Sequence, residues 1–153
     1  MALKADRIHV DSRIDYFMTH TAERGGVVVV QNGGSGIAMD QGAHRVEYSI
    51  TPSGKKPVGV LMSQVVNLDL TRQKMNVHKE EVQVGGKVTI WNKCQVTTNY
   101  VQSGVSPTAG QTAYLHREGR FTNVDNIGGA PTVGVFDSKK DEDGYVKVSV
   151  NLP

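Results

Sequence analysis

The chain has 153 residues, 38% of them hydrophobic and 21% charged, with 17 glycines and a formal charge of +2. That length supports one domain with a real core, or two small β lobes sharing one, and buries about 70% of the unfolded surface. The near-neutral balance, without a cluster of Lys and Arg, points away from nucleic acid and membrane surfaces as partners, and the single Cys94 excludes an intrachain disulfide or a multi-cysteine metal site.

Residues 1–24 mix charges of both signs (Lys4, Asp6, Arg7, Asp11, Arg13, Asp15) with isolated apolar residues. Ile8 and Val10, then Ile14, Tyr16 and Met18, alternate as an extended segment would. We read 1–24 as an N-terminal arm lying against its own body or a partner, the alternative being an ordinary first strand and loop. Met1 to Arg7 lack the apolar core of a secretory signal, and no stretch approaches the length of a membrane span, so synthesis and use without export are expected.

From Gly25 the signals are those of strands and turns, and 25–153 is read as an all-β body. Val27-Val28-Val29-Val30 is a branched run between Gly25-Gly26 and Asn32-Gly33-Gly34-Ser35-Gly36. Residues 44–50 form the next predicted strand, ended by the turn Thr51-Pro52-Ser53-Gly54. Strands over 58–61 and 65–70 follow; Gly59 inside the first suggests a bulge or a close backbone approach. Residues 68–77 have room for a helical turn or two. Residues 81–90 read as a hairpin about Gly85-Gly86, because Val82, Val84, Val88 and Ile90 alternate with polar residues and two glycines suit a primed turn. Further strands are predicted over 94–101, 111–115, 120–122, 133–136 and 145–150, the last two joined across the acidic turn 137–144. Short strands punctuated in this way predict a sandwich or barrel of antiparallel strands.

One phrase occurs twice. Gly25-Gly26-Val27-Val28-Val29 leads to Pro57-Val58-Gly59-Val60-Leu61, and Gly85-Gly86-Lys87-Val88-Thr89-Ile90 leads to Pro131-Thr132-Val133-Gly134-Val135-Phe136. The repetition predicts two similar β units, approximately 25–70 and 85–152, in which residues 58–60 superpose on 133–135.

Residues able to carry chemistry are scattered. His9, His20, His44, His78 and His116 stand singly, without metal-ligand spacing, and no metal site or cofactor is expected. Cys94 reads as a structural thiol. Asp141-Glu142-Asp143-Gly144 resembles the middle of a calcium loop, but Lys139 and Val150 stand where the end ligands belong, so a solvated turn is the better reading. Residues 32–36 lack the Lys-Ser/Thr and helix of a phosphate loop.

Gly134-Val135-Phe136-Asp137-Ser138, followed by Gly144-Tyr145-Val146-Lys147-Val148, resembles a motif of the trimeric all-β dUTPases, whose aspartate activates water and whose tyrosine stacks on the deoxyribose. Here the intervening turn is longer, Tyr145 is displaced past it, and the family's other motifs are absent. One motif without its partners does not build a catalytic site.

A wider resemblance rests on Tyr16-Phe17-Met18, Arg24-Gly25-Gly26-Val27-Val28-Val29, Ala38-Met39-Asp40, Pro57-Val58-Gly59-Val60-Leu61, Val66-Asn67-Leu68-Asp69-Leu70-Thr71-Arg72, His78-Lys79-Glu80-Glu81-Val82, Ala109-Gly110-Gln111-Thr112-Ala113-Tyr114-Leu115, Phe136-Asp137-Ser138 and Asp143-Gly144-Tyr145-Val146-Lys147-Val148. Over most of residues 15–152 this pattern resembles small structural proteins of tailed bacteriophages. The resemblance implies a non-enzymatic capsid decoration, or cement, protein. Such a protein is made in the host cytoplasm, binds the outside of the virion's shell, often as a trimer, and bridges subunits of the major capsid protein.

On that reading the arm residues Arg7, Ile8, Arg13, Ile14, Tyr16 and Phe17 are the expected capsid-binding surface, since arginine and aromatic side chains dominate interface energetics. The arm could equally exchange between subunits of one trimer. Deleting residues 1–20 is expected to leave the body folded. The rival reading, a carbohydrate- or receptor-binding virion module, needs exposed aromatic rings at loop tips, for which Trp91, Tyr100 and Tyr114 are the candidates.

Overall fold

The computed structural model describes residues 3, 8–31, 45–65, 68–69, 74–75, 81–125 and 127–153. Among them the strands in chain order are β1 (Ile8–Met18), β2 (Ala22–Glu23), β3 (Val27–Val30), β4 (Arg45–Glu47), β5 (Pro57–Gln64), β6 (Leu68–Asp69), β7 (Lys74–Met75), β8 (Glu81–Val82), β9 (Lys87–Thr98), β10 (Thr112–Leu115), β11 (Phe121–Thr122), β12 (Thr132–Phe136) and β13 (Val146–Asn151), with a single 3-10 turn at Arg117–Gly119. The protein is all-β, as its turn-bounded branched runs predict.

The long strand β9 organises the molecule. One of its edges is occupied by β1, antiparallel from Ile8 opposite Gln95 to Phe17 opposite Lys87. Its other edge is shared: β5 pairs with the first half, Val60 opposite Trp91 and Leu61 opposite Ile90, and β13 pairs with the second half, from Asn151 opposite Lys93 to Val146 opposite Thr98. The first half thereby closes a five-stranded barrel in the order β1-β4-β3-β5-β9, and the second half continues into β13-β12-β10-β11.

Two cores follow from this fork. Met18, Val28, Val46, Val58, Leu61, Val82, Val88 and Ile90 fill the barrel. Val27, Val29, Val60, Met62, Cys94, Val96, Leu115, Phe121, Phe136 and Val148 belong to the second, larger core. Strands β3 and β5 form the wall between them, which is the physical reason for the uninterrupted valines: a strand buried on both faces has no polar positions to alternate with. Each large side chain so buried contributes about 1.5–3 kcal/mol of transfer free energy.

Gly59 is the irregular point of that wall. Val58 faces the barrel core and Val60 the second core although they are two residues apart, because the β3–β5 register shifts there, with Val28 opposite Gly59 and Val29 opposite Pro57. A Cβ on Gly59 would lie 2.5 Å from the Trp91 carbonyl oxygen. Bulge and close approach coincide, as β-bulges that re-aim side chains do. A second irregularity marks where β9 passes from one core to the other. The β1 register slips on either side of Asp11, opposite residues 91–94, and buried Asn92 sits at that crossing with its carbonyl accepting from Leu152 N–H at 2.9 Å.

Four expectations are corrected. The segment read as an arm is not separate from the body: β1 closes the barrel, and Met18 at its end is 2% exposed. A chain lacking residues 1–20 would leave an edge of β9 and the barrel core open. The two copies of the repeated phrase have different neighbours: β3 pairs directly with β5, whereas β13 lies between β9 and β12, and Val60 is buried where its counterpart Val135 is 42% exposed.

The hairpin expected over 81–90 makes its turn, with Gly86 N–H donating to Gln83 O at 3.0 Å, but not its ladder: β8 pairs with β2, because both edges of β9 are already filled. Within 68–77, β6 pairs with β7, Leu68 opposite Met75, where helical turns were considered. The β12–β13 hairpin forms as read, with Val135 opposite Ser149. Residues 32–36 lie outside the described residues.

Candidate functional site

The structure separates the expected contact residues rather than gathering them on one face. Arg7 lies outside the described residues, and Ile8 is placed on β1 opposite Gln95. Arg13 is exposed and stands opposite Ile90; Ile14 beside it is 47% exposed. The register is irregular between Arg13 and Tyr16, and beyond it Tyr16 turns inward to pack on the barrel core. Phe17 is half-buried and lines a groove of about 510 Å³ with Met18, Thr19, Gln31, Arg45, Val84 and Gly85. Val84 is 58% exposed there. Arg13, Ile14 and the Phe17 groove therefore remain as surface, while Tyr16 serves the core.

A second depression, of about 460 Å³, escaped the sequence reading. It opens between the end of β1, the segment after β4, Tyr100 and the Arg117–Gly119 turn. Its centre is Tyr48, whose hydroxyl accepts from Gly26 N–H at 3.0 Å and donates to the Glu23 carbonyl at 2.7 Å. The Tyr100 hydroxyl donates to the same carbonyl at 3.3 Å, and the two rings lie 5.6 Å apart. His20 packs beyond Tyr48 at 6.1 Å, and the Arg120 guanidinium lies 5.5 Å from the Tyr100 ring centre.

Two glycines admit the Tyr48 ring. A Cβ on Gly119, which has φ of 75°, would come within 2.5 Å of it, and a Cβ on Gly26 within 3.1 Å. Between Arg117 and Gly119, Glu118 holds φ of 60°, a left-handed conformation that is costly for a side-chain-bearing residue, and its N–H donates to Ser49 O at 2.8 Å. Burial, then the neighbouring Tyr100, pushes the Tyr48 phenol well above its ordinary value; burial, then Glu23, raises Tyr100. Both are neutral hydrogen-bond donors at physiological pH. Of this cleft the sequence marks Tyr100, as an aromatic candidate, and His20, as a lone histidine, with nothing to join the two. Tyr48 is one residue of a short polar strand end, with no local mark of its partners.

The groups weighed as reactive are placed as follows. Cys94 is buried, and burial pushes its thiol up to about 12, so the thiolate is disfavoured. Asp141 accepts from Asp143 N–H at 2.9 Å and Tyr145 N–H at 2.8 Å, anchoring its own turn. Asp137 accepts from the Ser149 hydroxyl and from Gln95 Nε2, tying the hairpin to β9. Among the described residues no three His, Cys, Asp or Glu side chains are grouped to hold a metal. His44 and His78 lie outside them.

No protein-family model and no curated protein matches the chain.

Proposed function

We propose that the protein is a non-catalytic structural component of a tailed-phage virion, a decoration protein that binds the major capsid protein on the outer surface and cements neighbouring coat subunits, as a homotrimer. The reading rests on the resemblance spread over residues 15–152. The structural observation that carries it is the outward presentation of Arg13 and Ile14 on β1, a strand that β9 holds along most of its length. A preordered strand loses little conformational entropy on docking, and an arginine beside an exposed branched apolar side chain is the composition that interface centres favour. The Phe17–Val84 groove extends the apolar surface at the same end of β1.

The test is sedimentation of the purified chain with undecorated capsids of the phage that encodes it, with mass spectrometry of native particles giving its copy number. Ile14→Asp places a charge in the contact without touching either core and is expected to weaken attachment at least about tenfold, equivalent to 1.4 kcal/mol. Absence of the chain from particles refutes the assignment. Equal binding by the variant removes β1 from the mechanism.

A further inference from the structure

The geometry points to the tyrosine cleft as a binding site for a neutral saccharide, and we propose that assignment, which is independent of the attachment surface on β1. The volume, about 460 Å³, falls within the range of about 300–1,000 Å³ typical of small-ligand sites. The chemistry of the lining sets the class. Ile50, 67% exposed, and the Tyr48 and Tyr100 rings supply an apolar surface, while Glu118, Arg120 and His20 ring it with planar hydrogen-bonding groups. A pyranose has the matching division: one C–H face to lie on apolar side chains and a rim of hydroxyls that both donate and accept. Carboxylate and guanidinium groups pair with adjacent hydroxyls through two parallel hydrogen bonds. The lining carries the carboxylates of Glu23 and Glu118 beside the one guanidinium of Arg120, a balance that does not favour a phosphate or carboxylate ligand.

A second observation sets this cleft apart from an incidental hollow. Its rim contains Glu118, the one described non-glycine residue with positive φ, held in that state by the hydrogen bond to Ser49 O. Glycine would adopt the same backbone without the steric penalty, and its greater unfolded-chain entropy only offsets that gain, so folding alone gives little reason for a glutamate there. Strained residues that the surrounding structure holds in place concentrate at ligand sites. Glu118 and Arg120 both line the cleft, over a floor fixed by the two hydrogen bonds of Tyr48.

This predicts a dissociation between folding and binding. Glu118→Gly relieves the backbone and removes the carboxylate, so thermal stability should stay level or rise while saccharide binding falls about tenfold or more. Ile50→Ala, at an exposed position, should weaken binding with the fold intact. The measurement is titration of the isotope-labelled full chain with maltotriose, cellotriose, chitotriose and, separately, choline, followed by backbone amide shifts. Saturable shifts confined to residues 20–23, 48–51, 100 and 117–120 with at least one trisaccharide, lost in Glu118→Gly, support the site. No cleft shifts with any trisaccharide, shifts unchanged in Glu118→Gly, or a response to choline alone would overturn it, the last by making the cleft an aromatic cage for cations.

Discussion

Removing a single oxygen atom from Tyr48 tests the hub on which the cleft is built. In Tyr48→Phe the ring keeps its place between Gly26 and Gly119, and two hydrogen bonds are lost. A typical intramolecular bond contributes about 1 kcal/mol net, and a buried donor left without a partner costs about 1–3 kcal/mol. The two losses are unequal. The Glu23 carbonyl retains the Tyr100 hydroxyl at 3.3 Å, whereas the N–H of buried Gly26 loses the oxygen that it donates to. We therefore expect a destabilisation of about 2–3 kcal/mol, most of it from Gly26. With a urea slope of about 1–3 kcal/mol per molar, the unfolding midpoint should fall by about 0.7–3 M.

Tyr100→Phe should cost less, about 0.5–1 kcal/mol, because Tyr48 still satisfies Glu23. The double variant should lose more than the sum of the single ones, since each hydroxyl covers for the other at the shared carbonyl. Urea unfolding of the four proteins, followed by circular dichroism, gives all the terms. A Tyr48→Phe unfolding free energy within about 0.5 kcal/mol of the wild type, or strict additivity, would refute the shared-acceptor account.

Two further outcomes concern the cores. Gly134→Ala should destabilise by about 3 kcal/mol or more, because its Cβ would collide with the Ser149 carbonyl inside the β12–β13 ladder; Gly144→Ala, where a Cβ meets nothing within 4 Å, should cost only the left-handed backbone penalty of about 1–2 kcal/mol. Similar thermal midpoints for the two variants would count against the close approach. Alkaline pH should weaken the fold with a definite sign. In the unfolded chain Cys94 ionises near 9.0, and in the folded chain only near about 12, so above 9 the unfolded state binds fewer protons. Stability is complete below that pH and falls by up to about 1.4 kcal/mol per unit between the two values, with the raised Tyr48 and Tyr100 adding the same sign above their ordinary 10. Cys94→Ala should flatten the earlier part of this decline. Parallel declines in the two proteins would assign the effect elsewhere.

The Tyr48 hub also shows how the two parts of the fold are tied together. Glu23 and Gly26 flank the connection from β2 to β3, Tyr48 follows β4 of the barrel, and Tyr100 follows β9 where that strand has entered the second core. Thr98, buried at the end of β9, donates to the Gly25 carbonyl at 3.0 Å and reinforces the same seam. Polar contacts of this kind are directional and fix a relative placement that apolar packing alone leaves degenerate.

What the sequence determined by itself is the local content of the fold. Four successive valines, the alternation along Lys87–Thr98 and the glycine and proline punctuation between strands are short-range properties, and they suffice to state that the chain is all-β, that Gly59 is irregular and that Phe136 and Val148 belong to one hairpin. Partner choice is a different quantity. Residues 81–90 carry every local mark of a ladder, yet Val82 turns to β2 because β1, β5 and β13 occupy the edges of β9, and the period of a strand carries no record of who its neighbours are. For the same reason β1 reads as an arm and folds as a barrel stave. The same words, Gly-Gly and Val-Gly-Val, were given two different environments. Tertiary structure alone brought Tyr48, Tyr100, Glu118 and Arg120 around one cleft, because long-range packing sets the convergence of side chains from distant strands, and each of them taken singly has the local sequence of an ordinary turn or strand end.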